Sequence, residues 1–268
     1  MIWQLRNLSQ RARFSLQNPG YALRSLYREM LWADERFLAS ITGNSTRTIR
    51  NLLNEPIRTE DFAACLRRAE SVLPQLQIQS ADPYAKKVLI QYAALRALRP
   101  DIVVETGVAN GVSSAYLLLA LHKNGRGGLY SIEVGDSSYL PAGKETGWVV
   151  PAWLRPRWRL LIGDSRVLLP KILADLGGLD VFIHDSSHTH EHMLWEYRKA
   201  YPYLRAGGLL LSDDASWNTA FAEFVNEVGA CQARILHGVG VLQKGTDFEQ
   251  HRPRPGTGPP EGTGERSR

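Results

Sequence analysis

Cysteine is scarce: only Cys65 and Cys231 occur in 268 residues, far apart and outside any Cys-x-x-Cys pair. That excludes a disulfide framework and a thiolate zinc site, and makes a reducing cytoplasm the expected compartment. No uninterrupted apolar run approaches the roughly 18–20 residues needed to span a bilayer, which excludes an integral membrane protein. The first residues lack the continuous apolar stretch of a secretory signal. Several catalytic signatures are also missing. There is no Gly-Lys-Ser/Thr phosphate loop, no Gly-x-Ser-x-Gly elbow and no His-Glu-x-x-His helix. The Asn/Asp-Pro-Pro-Tyr/Phe motif of nucleic-acid amino-methyltransferases is absent after any strand. Its nearest match, Asp82-Pro83-Tyr84, precedes the first one.

What is present is an ordinary globular composition, 44% hydrophobic and 22% charged, which rules out a wholly disordered chain or a fibre. The net charge of +5 is unevenly spread. Residues 1–100 carry 15 Lys and Arg against 8 Asp and Glu, whereas residues 101–243 carry 12 against 15. The basic excess lies at the N-terminal end, among Arg6, Arg11, Arg13, Arg24 and Arg28. It reads as a helix packed on the main domain, with an amphipathic surface helix touching a membrane or an anionic partner as the alternative.

The chain divides into three parts by pattern. Residues 1–82 read as a helical extension, with helices expected over 21–41 and 59–73. Residues 83–243 alternate helices with short β-branched strands. Residues 244–268 are rich in Pro, Gly, Thr, Glu and Arg, cannot bury a core and are expected to be disordered. In the middle part, helices are expected over 84–98, 113–122, 167–176, 189–204 and 219–228. Strands are expected at 102–104, 129–132, 159–162, 181–183 and 209–211, with a final pair at 234–236 and 239–242. Continuous apolar strands separated by helices imply an α/β fold, a doubly wound parallel sheet covered on both faces. The last two strands have no helix between them and should pair antiparallel.

In such a sheet, ligands sit beyond the carboxyl ends of the strands. The first strand runs into Glu105-Thr106-Gly107-Val108-Ala109-Asn110-Gly111-Val112-Ser113-Ser114. Gly107 and Gly111 admit a tight turn, and the following helix start offers free N–H groups to an anion. The spacing departs from Gly-x-Gly-x-x-Gly, and Glu105 is awkward beside a pyrophosphate. A positively charged sulfonium amino acid carrying a ribose suits the position better than NAD. Glu133 ends strand two, where an acid binds ribose hydroxyls. Gly163-Asp164-Ser165 ends strand three, where Asp164 can accept from an exocyclic amine. Each acid alone could be a helix cap, but three in succession are harder to dismiss.

Together with Ile183-His184-Asp185-Ser186-Ser187-His188-Thr189 and Leu211-Ser212-Asp213-Asp214, these motifs resemble class I S-adenosylmethionine-dependent methyltransferases. Within that class the chain is similar to the small-molecule O-methyltransferase branch, which includes catechol, macrolide-sugar and cephalosporin-tailoring enzymes. The resemblance covers about residues 84–243. It implies a Rossmann-like seven-strand sheet with a reversed terminal strand. It also implies that Glu105, Gly107 and Ser113 hold the methionine end, with Gly111 in the same loop, Glu133 the ribose, and Asp164 and Ser165 the adenine side.

At the reacting end, Asp185 and the pair Asp213-Asp214 should converge from adjacent strands. Three carboxylates in one cleft repel unless a cation sits among them, and oxygen ligands suit Mg²⁺ or Mn²⁺. In the branch the matching positions hold a divalent metal, usually as Asp, Asp and Asn; here the third is Asp214. Four of the seven histidines fall within residues 184–192. His188 stands where catechol-type enzymes place a basic residue near the acceptor hydroxyl, and its pKa range suits general-base work. His188 and His192 could instead pair on zinc, without a further motif to support it. His190 should face solvent, and Trp217 and Asn218 could line an acceptor pocket. The expected activity is therefore metal-dependent O-methylation of a sugar, polyketide or phenolic hydroxyl, with His188 and Asp185 as the catalytic pair. Two rivals stay open: a nucleic-acid methyltransferase guided by the basic segment, and a non-catalytic S-adenosylmethionine-binding protein. A homo-oligomer is compatible with either.

Overall fold

The computed structural model describes residues 33–74 and 83–245, apart from 137 and 139. The basic segment over 1–31 and the Pro/Gly-rich tail beyond 245 lie outside the described residues. Helix α1 (33–42) stops at Gly43, whose φ of 67° leaves the helical region, as its sequence anticipates. Helices α2 (Thr46–Leu53) and α3 (Glu60–Val72) follow. Thr59 stands at the α3 N-cap position, but its hydroxyl donates to the Glu55 carbonyl rather than accepting from the helix.

The central part contains α4 (Pro83–Leu98), β1 (Ile102–Thr106), α5 (Val112–Asn124), β2 (Gly128–Glu133), β3 (Trp158–Ile162), α6 (Ser165–Leu176) and β4 (Leu179–His184). It continues with α7 (His190–Ala200), β5 (Leu204–Ser212), α8 (Ala220–Glu227), β6 (Ala233–Leu236) and β7 (Val239–Gln243). The strands form one seven-stranded sheet in the order β3-β2-β1-β4-β5-β7-β6. Strands β1 to β5 pair in parallel, while β7 runs antiparallel to both β5 and β6. The doubly wound sheet and its reversed end are as the sequence implies.

One stretch differs. The helix expected over 189–204 ends at Ala200, and the chain passes through a short 3₁₀ turn, Tyr201–Tyr203, straight into β5. Pro202 has no N–H to continue an α-helix. Residues Ala206, Gly207 and Gly208, expected as a helix stop, instead lie inside β5. The N–H of Lys244 donates to the Gly208 carbonyl there, and that of Gly207 to the Lys244 carbonyl.

The pleat sorts strand residues into two cores. Val103, Leu129, Val181, Ile183, Leu209 and Leu211 face α4, α5 and the N-terminal helices. Val104, Ile132, Phe182 and Leu210 face the side covered by α6, α7 and α8. Helices α1 to α3 share the first core. Phe62 of α3 packs edge-on against Tyr116 of α5, ring centres 5.0 Å apart. The Glu55 carboxylate accepts from Tyr92 Oη at 2.6 Å and Arg96 Nε at 2.7 Å, tying this extension to α4. No helix among the described residues is long and apolar enough to cross a membrane.

Candidate active site

The register brings Thr106, His184 and Ser212 side by side at the carboxyl edge of β1, β4 and β5. The ladder continues one step past the strands: Asp185 N–H donates to the Thr106 carbonyl and Asp213 N–H to the His184 carbonyl, both at 2.8 Å. Asp185 and Asp213 are therefore fixed by backbone bonds before their side chains make any contact. Gly107, with φ 88°, lets the loop after β1 pass against this edge. A Cβ built there would stand 1.9 Å from the Asp185 carbonyl oxygen. Gly111, with φ 86°, meets a second segment. A Cβ there would stand 2.6 Å from Cα of Gly147, whose N–H donates to the Ala109 carbonyl. The long connection from β2 to β3 thus closes over the glycine loop. Its Trp148 indole donates to Asn110 Oδ1, and the indole of Trp158, at the start of β3, donates to Ser131 Oγ.

The two acids flanking this loop differ in state. Glu105 is fully buried and accepts from Ser114 Oγ and Ser131 Oγ at 2.7 Å and from Ser113 Oγ at 3.3 Å. Burial pushes its carboxyl up to about 7, against the pull of these hydroxyls. An unfolded glutamate titrates near 4.5. The folded chain therefore keeps this proton longer, and the stability it brings is full below about pH 4.5 and declines as pH rises to about 7. Glu105→Gln is expected to remove a decline on the order of 3 kcal/mol between those limits, read by denaturant unfolding at pH 4.5 and 7.5. An unchanged decline in the variant would assign it to other groups. Glu133 is only half-buried. Its Oε2 accepts from the Val108 and Ala109 N–H groups at 2.7 Å each, so the acid at the end of β2 shapes the glycine loop directly. Among the described residues its Oε1 has only a long contact, 3.4 Å, from the Gly135 N–H.

At the end of β3, Asp164 is exposed and caps α6, accepting from the Arg166 N–H at 2.8 Å. Ser165 is buried and bonds to His192 Nε2 at 3.2 Å. His192 also bonds to Glu196, so its ring does not pair with His188 as a zinc site would require. His190 lies beside Glu223, at 3.0 Å.

The reacting edge is compact. Among the described residues, Asp185, His188 and Asp213 bring one ligand atom each within 4.8 Å of one another. Nε2 of His188 is buried without a hydrogen-bond partner and stands 3.9 Å from Asp185 Oδ1. Burial and the nearby His184 ring pull the His188 pKa down, which keeps its lone pair available near neutrality. Burial and the neighbouring Asp213 and Glu105 carboxylates hold the Asp185 carboxyl well above the usual range. The crowded carboxylates of Asp185 and Asp213 are an oxygen donor set that fits a hard divalent cation, with the orphaned His188 nitrogen standing beside them. Asp214 is the residue expected as the third ligand. It adopts the left-handed conformation, φ 46°, and pairs with the Lys87 ammonium. The same ammonium stands 3.1 Å from Asp213 Oδ2. Burial alone would lower the Lys87 pKa, but bonds to Asp214 and the charge of Asp213 raise it.

Sequence reasoning also missed Glu196 of α7. It is fully buried and accepts from Thr106 Oγ1 and His184 Nδ1 at 2.6 Å and from Ser186 Oγ and His192 Nε2 at 2.9 Å. Burial would raise its pKa, but the donors from His184 and His192 hold it well below the usual carboxylate range. Trp217 is 70% exposed, with its ring centre 5.4 Å from that of His188. Asn218 donates to the His188 carbonyl and accepts from the Ala220 N–H at the start of α8.

The sheet order and these strand-end motifs follow the pattern expected of a class I methyltransferase domain. Residues 104–215 match the family profile described as Methyltransferase domain, Methyltransf_24. No curated protein matches the chain. Among solved structures, it is similar to the MycE methyltransferase from the mycinamycin biosynthetic pathway, in complex with Mg, SAH and mycinamycin VI. That similarity is 20% identity over 60% of this chain and 49% of the other, with a TM-score of 0.42. A second similarity is to the SAH-bound Podospora anserina methyltransferase PaMTH1, 12% identical over 68% of this chain and 86% of the other, with a TM-score of 0.48. The chain spans about half the length of the MycE chains it matches.

Proposed function

We propose that the chain is an S-adenosylmethionine-dependent O-methyltransferase acting on a hydroxyl of a small molecule, with a divalent cation at the reacting edge. The observation that carries this reading is the cluster of Asp185, His188 and Asp213 at the carboxyl ends of β4 and β5, beside the glycine loop. On the donor side, Glu133 faces the ribose hydroxyls through its weakly engaged Oε1. Val134 and Ile162, both exposed at the ends of β2 and β3, offer an apolar face to the adenine. The start of α5, whose N-cap Gly111 provides no side-chain acceptor, suits the methionine carboxylate. Asp164 and Ser165 border the adenine side, where the α6 cap leaves Asp164 solvent-facing.

When bound, S-adenosylmethionine supplies an electrophilic sulfonium methyl. A divalent ion held by Asp185 and Asp213 supplies Lewis acidity toward the acceptor hydroxyl. The side chains do the rest. Nε2 of His188 takes the hydroxyl proton, as the oxygen–methyl bond forms and the sulfur–methyl bond breaks. Trp217 gives the acceptor a flat apolar wall next to that nitrogen, which suits a sugar face or an aromatic ring. A screen of sugar, polyketide and phenolic acceptors with S-adenosylmethionine and Mg²⁺, read as S-adenosylhomocysteine released, tests the proposal. Turnover with RNA or DNA but no small molecule would overturn it.

A further inference from the structure

Lys87 lies 126 residues from Asp213, on the helix that precedes β1, yet its ammonium sits inside the acid cluster. Its side chain is 16% exposed, and those of Asp213 and Asp214 are 11% and 15% exposed. A lysine on a solvated face does not hold two nearly buried carboxylates at once. The stem is fixed as well: a Cβ built on Gly238, in the β6–β7 turn, would stand 3.2 Å from Cε of Lys87. The backbone of Asp214 supports the same pairing, since a non-glycine residue with φ 46° needs surrounding contacts to hold it.

We propose that Lys87 is a resident counter-cation that takes Asp214 out of the metal's ligand set and leaves Asp185 and Asp213 to share one divalent ion. The proposal rests on the metal-assisted reading above for the ion. Three carboxylates carry three negative charges, and a divalent ion alone would leave one uncompensated. With Lys87 in place the ion brings the cluster to neutrality. The cost is affinity, because an ammonium beside the ligand Asp213 repels the incoming ion.

The test is Mn²⁺ binding followed by electron paramagnetic resonance on wild type, Lys87→Met and the double variant Lys87→Met/Asp214→Asn, with folding checked by circular dichroism. Lys87→Met frees Asp214 and removes the repelling charge, so it is expected to bind Mn²⁺ at least about tenfold more tightly than wild type. The double variant removes the ion pair as a unit and keeps the cluster's net charge. It is expected to bind within about threefold of wild type, the non-additivity that marks a coupled pair. If Asp214 were itself a ligand, the double variant would lose about tenfold or more. That loss overturns the proposal, as does Lys87→Met binding no tighter than wild type, or no Mn²⁺ binding by any of the three proteins. Should Lys87→Met fail to fold without metal, the double variant decides alone. Calorimetry with S-adenosylhomocysteine on the same preparations separates the two ideas. Loss of nucleoside binding throughout would remove the methyltransferase reading and leave the Mn²⁺ comparison standing.

Discussion

Asp213→Ala is expected to abolish methyl transfer while leaving the affinity for S-adenosylhomocysteine within a few-fold of wild type. Asp213 is set by its backbone bond to His184, and its carboxylate belongs to the cluster with Asp185 and His188 rather than to the glycine-loop segment proposed to take the nucleoside. Its carboxylate serves two partners, the proposed ion and the Lys87 ammonium. Removing it leaves Asp185 without its companion ligand, and the acceptor hydroxyl returns to its ordinary, poorly nucleophilic state. The wild type in excess EDTA should lose activity in the same way and recover with Mg²⁺ or Mn²⁺. An active Asp213→Ala protein, together with full wild-type activity in chelator, would reduce the acids to pocket walls.

Glu196→Ala is expected to have the largest effect on stability. The carboxylate accepts four side-chain hydrogen bonds without solvent, from Thr106, His184, Ser186 and His192. Truncation strands these donors in the interior, where breaking a buried ionic group's network costs about 3–5 kcal/mol. For a chain of this size that corresponds to a fall in Tm on the order of 10 °C, measured by thermal unfolding. The consequences reach the site. Glu196 links β1, the end of β4 and α7, and holds His184 and Ser186, the two residues that flank Asp185, so acceptor turnover should fall more than nucleoside binding. A Tm within about 2 °C of wild type would mean that water or rearranged hydroxyls replace the carboxylate at little cost.

The strand ends were readable because their chemistry is local. Glu105, Glu133, Asp185 and Asp213 each follow a short apolar run, and in a doubly wound sheet that position alone points them at the ligand edge. What each acid does there was less readable. Glu133 accepts two backbone N–H groups of the glycine loop, a partnership between segments 24 and 25 residues apart that spacing does not reveal. Asp164 has the strand-end position expected of a ligand acid and also performs the bland alternative, a helix cap. Lys87 and Glu196 escaped because nothing local distinguishes them. Lys86-Lys87 resembles a solvated helix face, and Glu196 looks like one more charge on a polar helix. Only the packing of α4 and α7 against the sheet turns them inward. The start of β5 was hidden by Ala206-Gly207-Gly208, residues that end helices elsewhere. Here Gly208 lies so close to β4 that a Cβ would meet the Asp180 carbonyl oxygen at 2.7 Å.

Every part of the proposed mechanism presupposes that the edge of β1 and β2 takes a methionine-bearing nucleoside. Isothermal titration calorimetry with S-adenosylhomocysteine and, separately, with NAD measures this directly. A Kd in the micromolar range is expected for the former, on the order of −8 kcal/mol, with no detectable binding of NAD. Glu133→Ala should weaken it by about 1–3 kcal/mol, since the ribose hydroxyls and the Val108 and Ala109 N–H groups lose their shared acceptor. Binding of NAD without S-adenosylhomocysteine would contradict the account at its centre.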